Sequence, residues 1–241
     1  MVAQIPREEI FTPLENRAFQ LYNLLWKVAL PFLKYNQRLA DGYNQRLFIS
    51  SLPEPADIWF QAASVGEAIL TADLLKRLRP RKKITVLVTT NTLQGKTVID
   101  QSAPEILGNP RVQRIQSAFF PFDRPSIMQR AVNHIRPALM VLIETEIWPA
   151  HIKALKKTGT PIVVVNGRLS PKSLKYYQRW PSFWRRLAPD RILAMSSADA
   201  KRFAVLFNRE KVEVISNLKF DRLNFQTQAA ESSNPLRKIF A

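Results

Sequence analysis

From Asp57 onward the chain alternates short apolar runs with stretches of helical period, and that alternation restricts it to one class of fold. Ile58-Trp59-Phe60-Gln61-Ala62 reads as a strand, residues 67–78 as a helix, 84–89 as a strand and 93–101 as a helix. A weaker strand signal at 115–120 precedes a helix near 126–135. Leu139-Met140-Val141-Leu142-Ile143 is an almost continuous apolar strand, followed by a helix from about 149 to 157 and a strand at 161–165. Two later strands, 191–195 and 212–215, flank a helix over 198–207. Strands this apolar are covered on both faces, and helices between them imply crossover connections, so the predicted fold is α/β with a doubly wound, mainly parallel sheet. In such a sheet ligands bind outside the carboxyl ends of the strands, and the residues just past each strand carry the functional weight.

Ahead of the alternation, residues 16–39 have helical period, with Phe19, Tyr22, Leu25, Trp26, Ala29, Leu30 and Leu33 on one side and Arg17, Lys27, Lys34 and Arg38 around them. Aromatic rings beside cationic stems suit the headgroup boundary of a bilayer, and the same pattern suits an amphipathic helix packed on its own domain. Both roles stand open at this point. The most apolar stretch, 19–33, is interrupted by Gln20, Asn23, Lys27 and Pro31, and falls short of the roughly 20 apolar residues that a bilayer span needs. Residues 1–9 mix charges without an apolar run, so no secretory signal is expected. The polar stretch after Asn224 reads as a linker.

Charge narrows the partners. The chain has 36 Lys and Arg against 19 Asp and Glu, a formal charge of +17, which favours an anionic lipid surface, a phosphorylated substrate or nucleic acid. No recognised nucleic-acid motif accompanies the charge, so nucleic acid ranks last and is not assigned. The lack of cysteine excludes disulfides and thiolate metal sites, and His134 and His151 stand too far apart in sequence to suggest a histidine centre. No metal and no cofactor is assigned.

The candidate chemistry lies just past the strand ends. Ala63-Ser64-Val65-Gly66-Glu67 leads small residues into a helix; Ser64 and Gly66 let a ligand approach the backbone, and the helix N-terminus offers N–H groups to anions. Glu67 falls in that first turn, where it either complements the helix dipole or serves as a general base at the mouth of the sheet. The apolar strand at 139–143 runs into Glu144-Thr145-Glu146-Ile147-Trp148-Pro149. Two acids there are costly unless solvated, paired or used; one can cap the helix that opens at Pro149, leaving the other, taken as Glu144, for the site. The next strand ends in Asn166-Gly167-Arg168-Leu169-Ser170, and the last in Ser216-Asn217-Leu218-Lys219-Phe220-Asp221. Arg168 and Lys219 thus bring cations to the rim carrying Glu67 and Glu144, as a phosphate-bearing substrate or leaving group requires. Ser64, Gly66, Arg168 and Ser170 are the candidate acceptor-binding residues.

Two further segments have their own character. Phe119-Phe120-Pro121-Phe122-Asp123-Arg124-Pro125 is a rigid aromatic loop expected to pack rather than bind. Residues 172–186 interleave Lys172, Lys175, Arg179, Arg185 and Arg186 with Tyr176, Tyr177, Trp180, Phe183 and Trp184, a combination that serves stacking on single-stranded nucleic acid and equally an interfacial lipid surface.

At these positions the chain resembles the 3-deoxy-D-manno-octulosonic acid (Kdo) transferases that glycosylate lipid A precursors. The matching pieces are Ala63-Ser64-Val65-Gly66-Glu67, Phe120-Pro121-Phe122-Asp123, Glu144-Thr145-Glu146-Ile147-Trp148-Pro149, Asn166-Gly167-Arg168-Leu169-Ser170 and Asn217-Leu218-Lys219-Phe220-Asp221. The segment Gly42-Tyr43-Asn44-Gln45-Arg46-Leu47 is similar too. Ordered motifs spread over about 160 residues are far more specific than any one of them. The resemblance implies a GT-B glycosyltransferase with two facing Rossmann-like domains, of which this chain is similar to the N-terminal, acceptor-binding one. It implies transfer of Kdo from the donor substrate CMP-Kdo to a lipid A precursor, by a protein peripheral to the cytoplasmic face of the inner membrane, without a catalytic metal. Carried over residue by residue, Glu67 matches the family's proton acceptor, and Glu144 and Lys219 match its transition-state stabilisers.

The expected organisation is an N-terminal segment with a membrane-surface helix over 1–50, a Rossmann-like acceptor domain over 51–224, and a linker over 225–241 leading toward a donor domain that the chain lacks. The expected function is a half-enzyme that transfers little sugar alone and that a separate donor domain completes. The alternative is a membrane-surface, lipid-binding module that keeps the fold without catalysis.

Overall fold

Each stretch of apolar alternation becomes a strand, and each helical period returns the chain to the start of the next. The computed structural model describes residues 10–208 and 212–215. Three helices come first: α1 (Pro13–Leu33), α2 (Gln37–Ala40) and α3 (Tyr43–Arg46). Then follow β1 (Ile58–Ala62), α4 (Val65–Arg77), β2 (Ile84–Thr90), α5 (Leu93–Leu107), β3 (Val112–Phe119) and α6 (Pro125–Ile135). The remainder is β4 (Leu139–Ile143), α7 (Pro149–Thr158), β5 (Ile162–Gly167), α8 (Pro171–Tyr177), α9 (Pro181–Arg186), β6 (Arg191–Ala194), α10 (Ser197–Phe207) and β7 (Glu213–Val214).

The strands form one sheet in the order β3-β2-β1-β4-β5-β6-β7, with every neighbouring pair parallel. The winding starts at β1, goes outward to β3, then returns to β4 on the other flank of β1, so the switch in strand order falls between β1 and β4. Doubly wound sheets bind ligands at that point. Alternate residues of β1 serve opposite faces. Ile58, Phe60 and Ala62 enter one core with Ala68 and Leu75 of α4 and Ile99 and Ile106 of α5. Trp59 enters the other core with residues of α1, α6, α7, α9 and α10. Trp59 and Phe60 are 0% and 1% exposed, and burial of one such ring stabilises by about 1.5–3 kcal/mol. The sheet is therefore covered on both sides, as its composition predicts.

The N-terminal helix packs on its own domain, one of the two roles the sequence allowed. A Thr12–Glu15 capping box starts it at Pro13, three residues ahead of the predicted start, and it stops at Leu33, after which Asn36 caps the separate α2. Phe19 and Leu30 are buried against the domain, with Tyr22, Trp26 and Leu33 packed beside them. Leu25 departs from the predicted face. At about 100° per residue it falls beside Leu21 and Val28, and these three are 58%, 58% and 62% exposed. Leu14, Leu24 and Phe32 are also exposed, giving α1 a second, outward apolar stripe.

The inner face is pinned by polar contacts. The Tyr22 hydroxyl donates to Asp123 at 3.0 Å, Arg186 donates to Glu15 at 3.0 Å, and the Lys153 ammonium lies 3.9 Å from the centre of the Phe19 ring. Among the described residues no helix is long and apolar enough to cross a membrane.

Candidate active site at the switch point

The carboxyl ends of β1 and β4 lie side by side, since Gln61 pairs with Leu142 in parallel register. Ser64, two residues past β1, is the N-cap of α4 and accepts the Glu67 N–H at 3.3 Å. The Glu67 side chain turns back: Oε1 accepts from the Ser64 hydroxyl at 2.9 Å, and Oε2 accepts from the Ala63 N–H at 2.7 Å. Glu67 therefore closes the helix's first turn, as the structural role required. It is also 7% exposed. Burial pushes its pKa up to about 7, against the two hydrogen bonds from Ser64 and Ala63, and the charges of Glu146 and Glu144 add to the rise. A carboxyl group poised near 7 accepts or releases a proton at neutral pH, so the two readings of Glu67 are compatible.

The loop after β4 holds the other acids. The Glu144 N–H donates to the Val165 carbonyl at 2.9 Å, carrying the β4–β5 ladder one step past the strand. Glu144 and Asn166, at adjacent strand ends, both have left-handed backbones, with φ of 60° and 57°. For residues with a Cβ this costs roughly 1–2 kcal/mol each, and such strain gathers at functional sites.

Neither acid caps α7, which corrects the sequence-based assignment. Trp148 stands at the N-cap without a side-chain bond to the helix, and the Asp123 carboxylate accepts the N–H groups of Ala150 and His151 at 3.1 and 2.8 Å. Asp123 is 3% exposed, and burial pushes its pKa up to about 7. The aromatic loop thus packs, with Phe119, Phe120 and Phe122 buried, and its last acid caps a helix elsewhere in the chain.

With capping supplied by Asp123, Glu146 joins the site. Its Oε2 accepts from the Trp148 indole at 2.7 Å, the Gln61 and Asn91 side chains hydrogen-bond it, and burial raises its pKa. Gln61 is fully buried and belongs to a chain of bonds. The Trp59 indole donates to Thr89 at 2.8 Å, Thr89 donates to Gln61 at 2.6 Å, and Gln61 donates to Asn91 at 3.1 Å. Arg46, 2% exposed, donates to the Asn91 carbonyl at 2.9 Å. The sequence signal for this network was Gln61, a polar residue inside an otherwise apolar strand.

Of the other candidates, Gly66 is exposed in the first turn of α4 and Arg168 is exposed one residue past β5. Ser170 is the N-cap of α8 and accepts the Ser173 N–H at 3.0 Å. The structure brings Glu67 and Glu144 to one edge, together with Glu146. Lys219 and its motif lie outside the described residues, as does the stretch 225–241.

Comparison with known proteins gives a consistent result. A family model described as 3-deoxy-D-manno-octulosonic-acid transferase (kdotransferase) matches residues 36–222. The 3-deoxy-D-manno-octulosonic acid transferase of Haemophilus influenzae is 30% identical over 222 residues, covering 86% of this chain and 47% of that protein. The bifunctional glycosyltransferase/methyltransferase of Fusobacterium nucleatum is 33% identical over 211 residues, covering 83% of this chain and 31% of its own length. The Chlamydophila psittaci 3-deoxy-D-manno-octulosonic acid transferase is 30% identical over 203 residues, with 80% and 45% covered. The chain spans less than half the length of these curated relatives.

Proposed function

The chain belongs to the 3-deoxy-D-manno-octulosonic-acid transferase family, and from that premise we propose that it forms the acceptor side of a transferase moving Kdo from CMP-Kdo onto a lipid A precursor. The observation that carries the reading is Glu67, buried at the switch point with a pKa near 7. In the proposed step Glu67 takes the proton from an acceptor sugar hydroxyl as that oxygen bonds to the anomeric carbon of Kdo. The bond from that carbon to the cytidylate phosphate breaks, and the phosphate leaves with the electron pair. Glu144 steadies positive charge at the anomeric carbon and Lys219 steadies the departing phosphate. Ser64, Gly66, Arg168 and Ser170 hold the acceptor at the edge. The donor domain comes from further sequence, on the same chain or another.

The protein works, on this reading, peripherally at the cytoplasmic face of the inner membrane. The outward stripe of α1 lies against the leaflet, and each Lys or Arg near the surface adds about 1 kcal/mol to attachment. The test is a chimera in which residues 36–222 replace the matching segment of the Haemophilus influenzae relative, assayed with radiolabelled CMP-Kdo and a lipid A precursor. Transfer by the chimera, lost about 10²–10⁴-fold in Glu67→Gln with an unchanged circular dichroism spectrum, is the predicted result. Full transfer by the Glu67→Gln chimera would refute the role of Glu67.

The outward stripe of α1 favours a second reading, a lipid-surface module without catalysis. It predicts a folded but inactive chimera, and anionic-vesicle binding that Glu67→Gln leaves untouched.

A further inference from the structure

Behind the acid loop lies a cavity of about 360 Å³ with no part in the chemistry above. Its walls are aromatic: Phe19 and Tyr22 come from α1, and Trp180, Phe183 and Trp184 come from the α9 region. These rings hold one another apart. Trp180 stacks on Phe183 with centroids 4.7 Å apart, Phe19 meets Phe183 at 5.4 Å, and Trp184 meets Tyr177 at 4.4 Å. A space of this size lined by rings offers water few partners, and its volume falls within the usual range for ligand pockets, about 300–1,000 Å³.

Charge and continuity indicate the occupant. The charged side chain in the lining is Arg179, which is exposed in the link between α8 and α9, and Lys172 and Lys175 of α8 and Arg185 of α9 are exposed on either side of it in sequence. Ala18 opens the α1 wall one turn from Leu14 and Leu21, both exposed on the outward stripe. The lining also includes Pro149, the residue directly after the loop that carries Glu144 and Glu146. Tyr177 connects the two regions: burial raises its pKa, and the charge of Glu146 raises it further.

We propose that this cavity holds a hydrocarbon chain of the acceptor, an anionic amphiphile whose head sits at Arg179 and whose polar part faces the acid loop. Naming the amphiphile as the acceptor rests on the transferase reading; occupancy of the cavity does not.

Alkyl phosphates below their micelle concentrations test the proposal on the chain itself, followed by calorimetry and by the fluorescence of its tryptophans. Affinity should rise about fourfold per added methylene, the equivalent of ~0.8 kcal/mol, and stop rising once the cavity is full. Ala18→Phe, which fills the cavity, should weaken decyl phosphate at least tenfold. Arg179→Glu, an exposed change that spares the core, should weaken decyl phosphate but not decanol. Leu21→Ser with Leu25→Ser on the outward stripe should change neither. Affinity that follows the stripe variant, or ignores both Ala18→Phe and Arg179→Glu, would overturn the cavity in favour of surface adsorption. Inorganic phosphate binding as tightly as decyl phosphate would overturn it as well. An inactive chimera alongside Ala18-sensitive alkyl binding by the intact chain would remove the transferase reading alone, whereas an active chimera alongside an intact chain that shows no such binding would remove the cavity alone.

Discussion

A glutamate that closes the first turn of a helix ordinarily stays ionised at neutral pH, because the helix dipole and its N–H partners favour the charge. Glu67 keeps those partners yet has a pKa near 7, since burial outweighs them and two further carboxylates lie close. As a base it must be deprotonated, so transfer by the chimera should rise as pH increases through about 7; a rate flat from pH 6 to 8 would contradict this.

His151 makes a separate prediction. It is fully buried between the rings of Trp59 and Phe120, at 4.8 and 5.1 Å, and burial lowers its pKa to about 3. In the unfolded chain the value is about 6.5, so between these limits the unfolded state binds more protons and stability falls as pH drops. Asp123, raised to about 7, has the opposite sign and loses its contribution as pH climbs from about 4 toward 7. His151→Phe should therefore raise the melting temperature at pH 5 relative to wild type by more than at pH 8. An equal change at both values would show that the imidazole does not titrate with unfolding.

At the scale of elements, Asp123 joins three parts of the molecule by accepting from Tyr22 of α1 and from two N–H groups of α7. Asp123→Ala leaves those donors without a partner and should cost about 2–4 kcal/mol in urea denaturation, against about 1 kcal/mol for Tyr22→Phe. Equal losses would mean that the α1 contact, not the cap, carries the effect.

The cap also shows where the sequence was hard to read. β1 and β4 were legible to the residue because apolar runs end sharply against small or acidic residues, whereas α4 starts at Val65, two residues ahead of its predicted start, because Ser64 caps it. The cap of α7 was not legible, because its acid comes from 27 residues upstream, a distance that no local pattern records. α5 continues through Pro104 to Leu107, six residues past its predicted end. α8 and α9, of 7 and 6 residues, are too short to show a period, and only their charge and aromaticity stood out. Glu67 and Glu144 were found from their place after strands; Glu146 was set aside because a local cap seemed to need it.

For the whole molecule, the order β3-β2-β1-β4-β5-β6-β7 places the first and fourth strand ends at one crevice, so residues about 80 apart in sequence share a site. The +17 charge and the α1 stripe act on a larger length scale. Binding to anionic vesicles should weaken as salt rises, and the paired change Leu21→Ser and Leu25→Ser should weaken it at every salt concentration while the melting temperature holds. Vesicle binding indifferent to the pair would contradict the membrane-facing role proposed for the α1 stripe.

The most direct measurement of the site itself is the solution pKa of Glu67, followed by carbon NMR of the carboxyl group in the wild-type chain and in Glu146→Gln. A value near 7 is expected in the wild type and a lower one in the variant, where a neighbouring negative charge is gone. An ordinary glutamate value, about 4.3, in both proteins would contradict this.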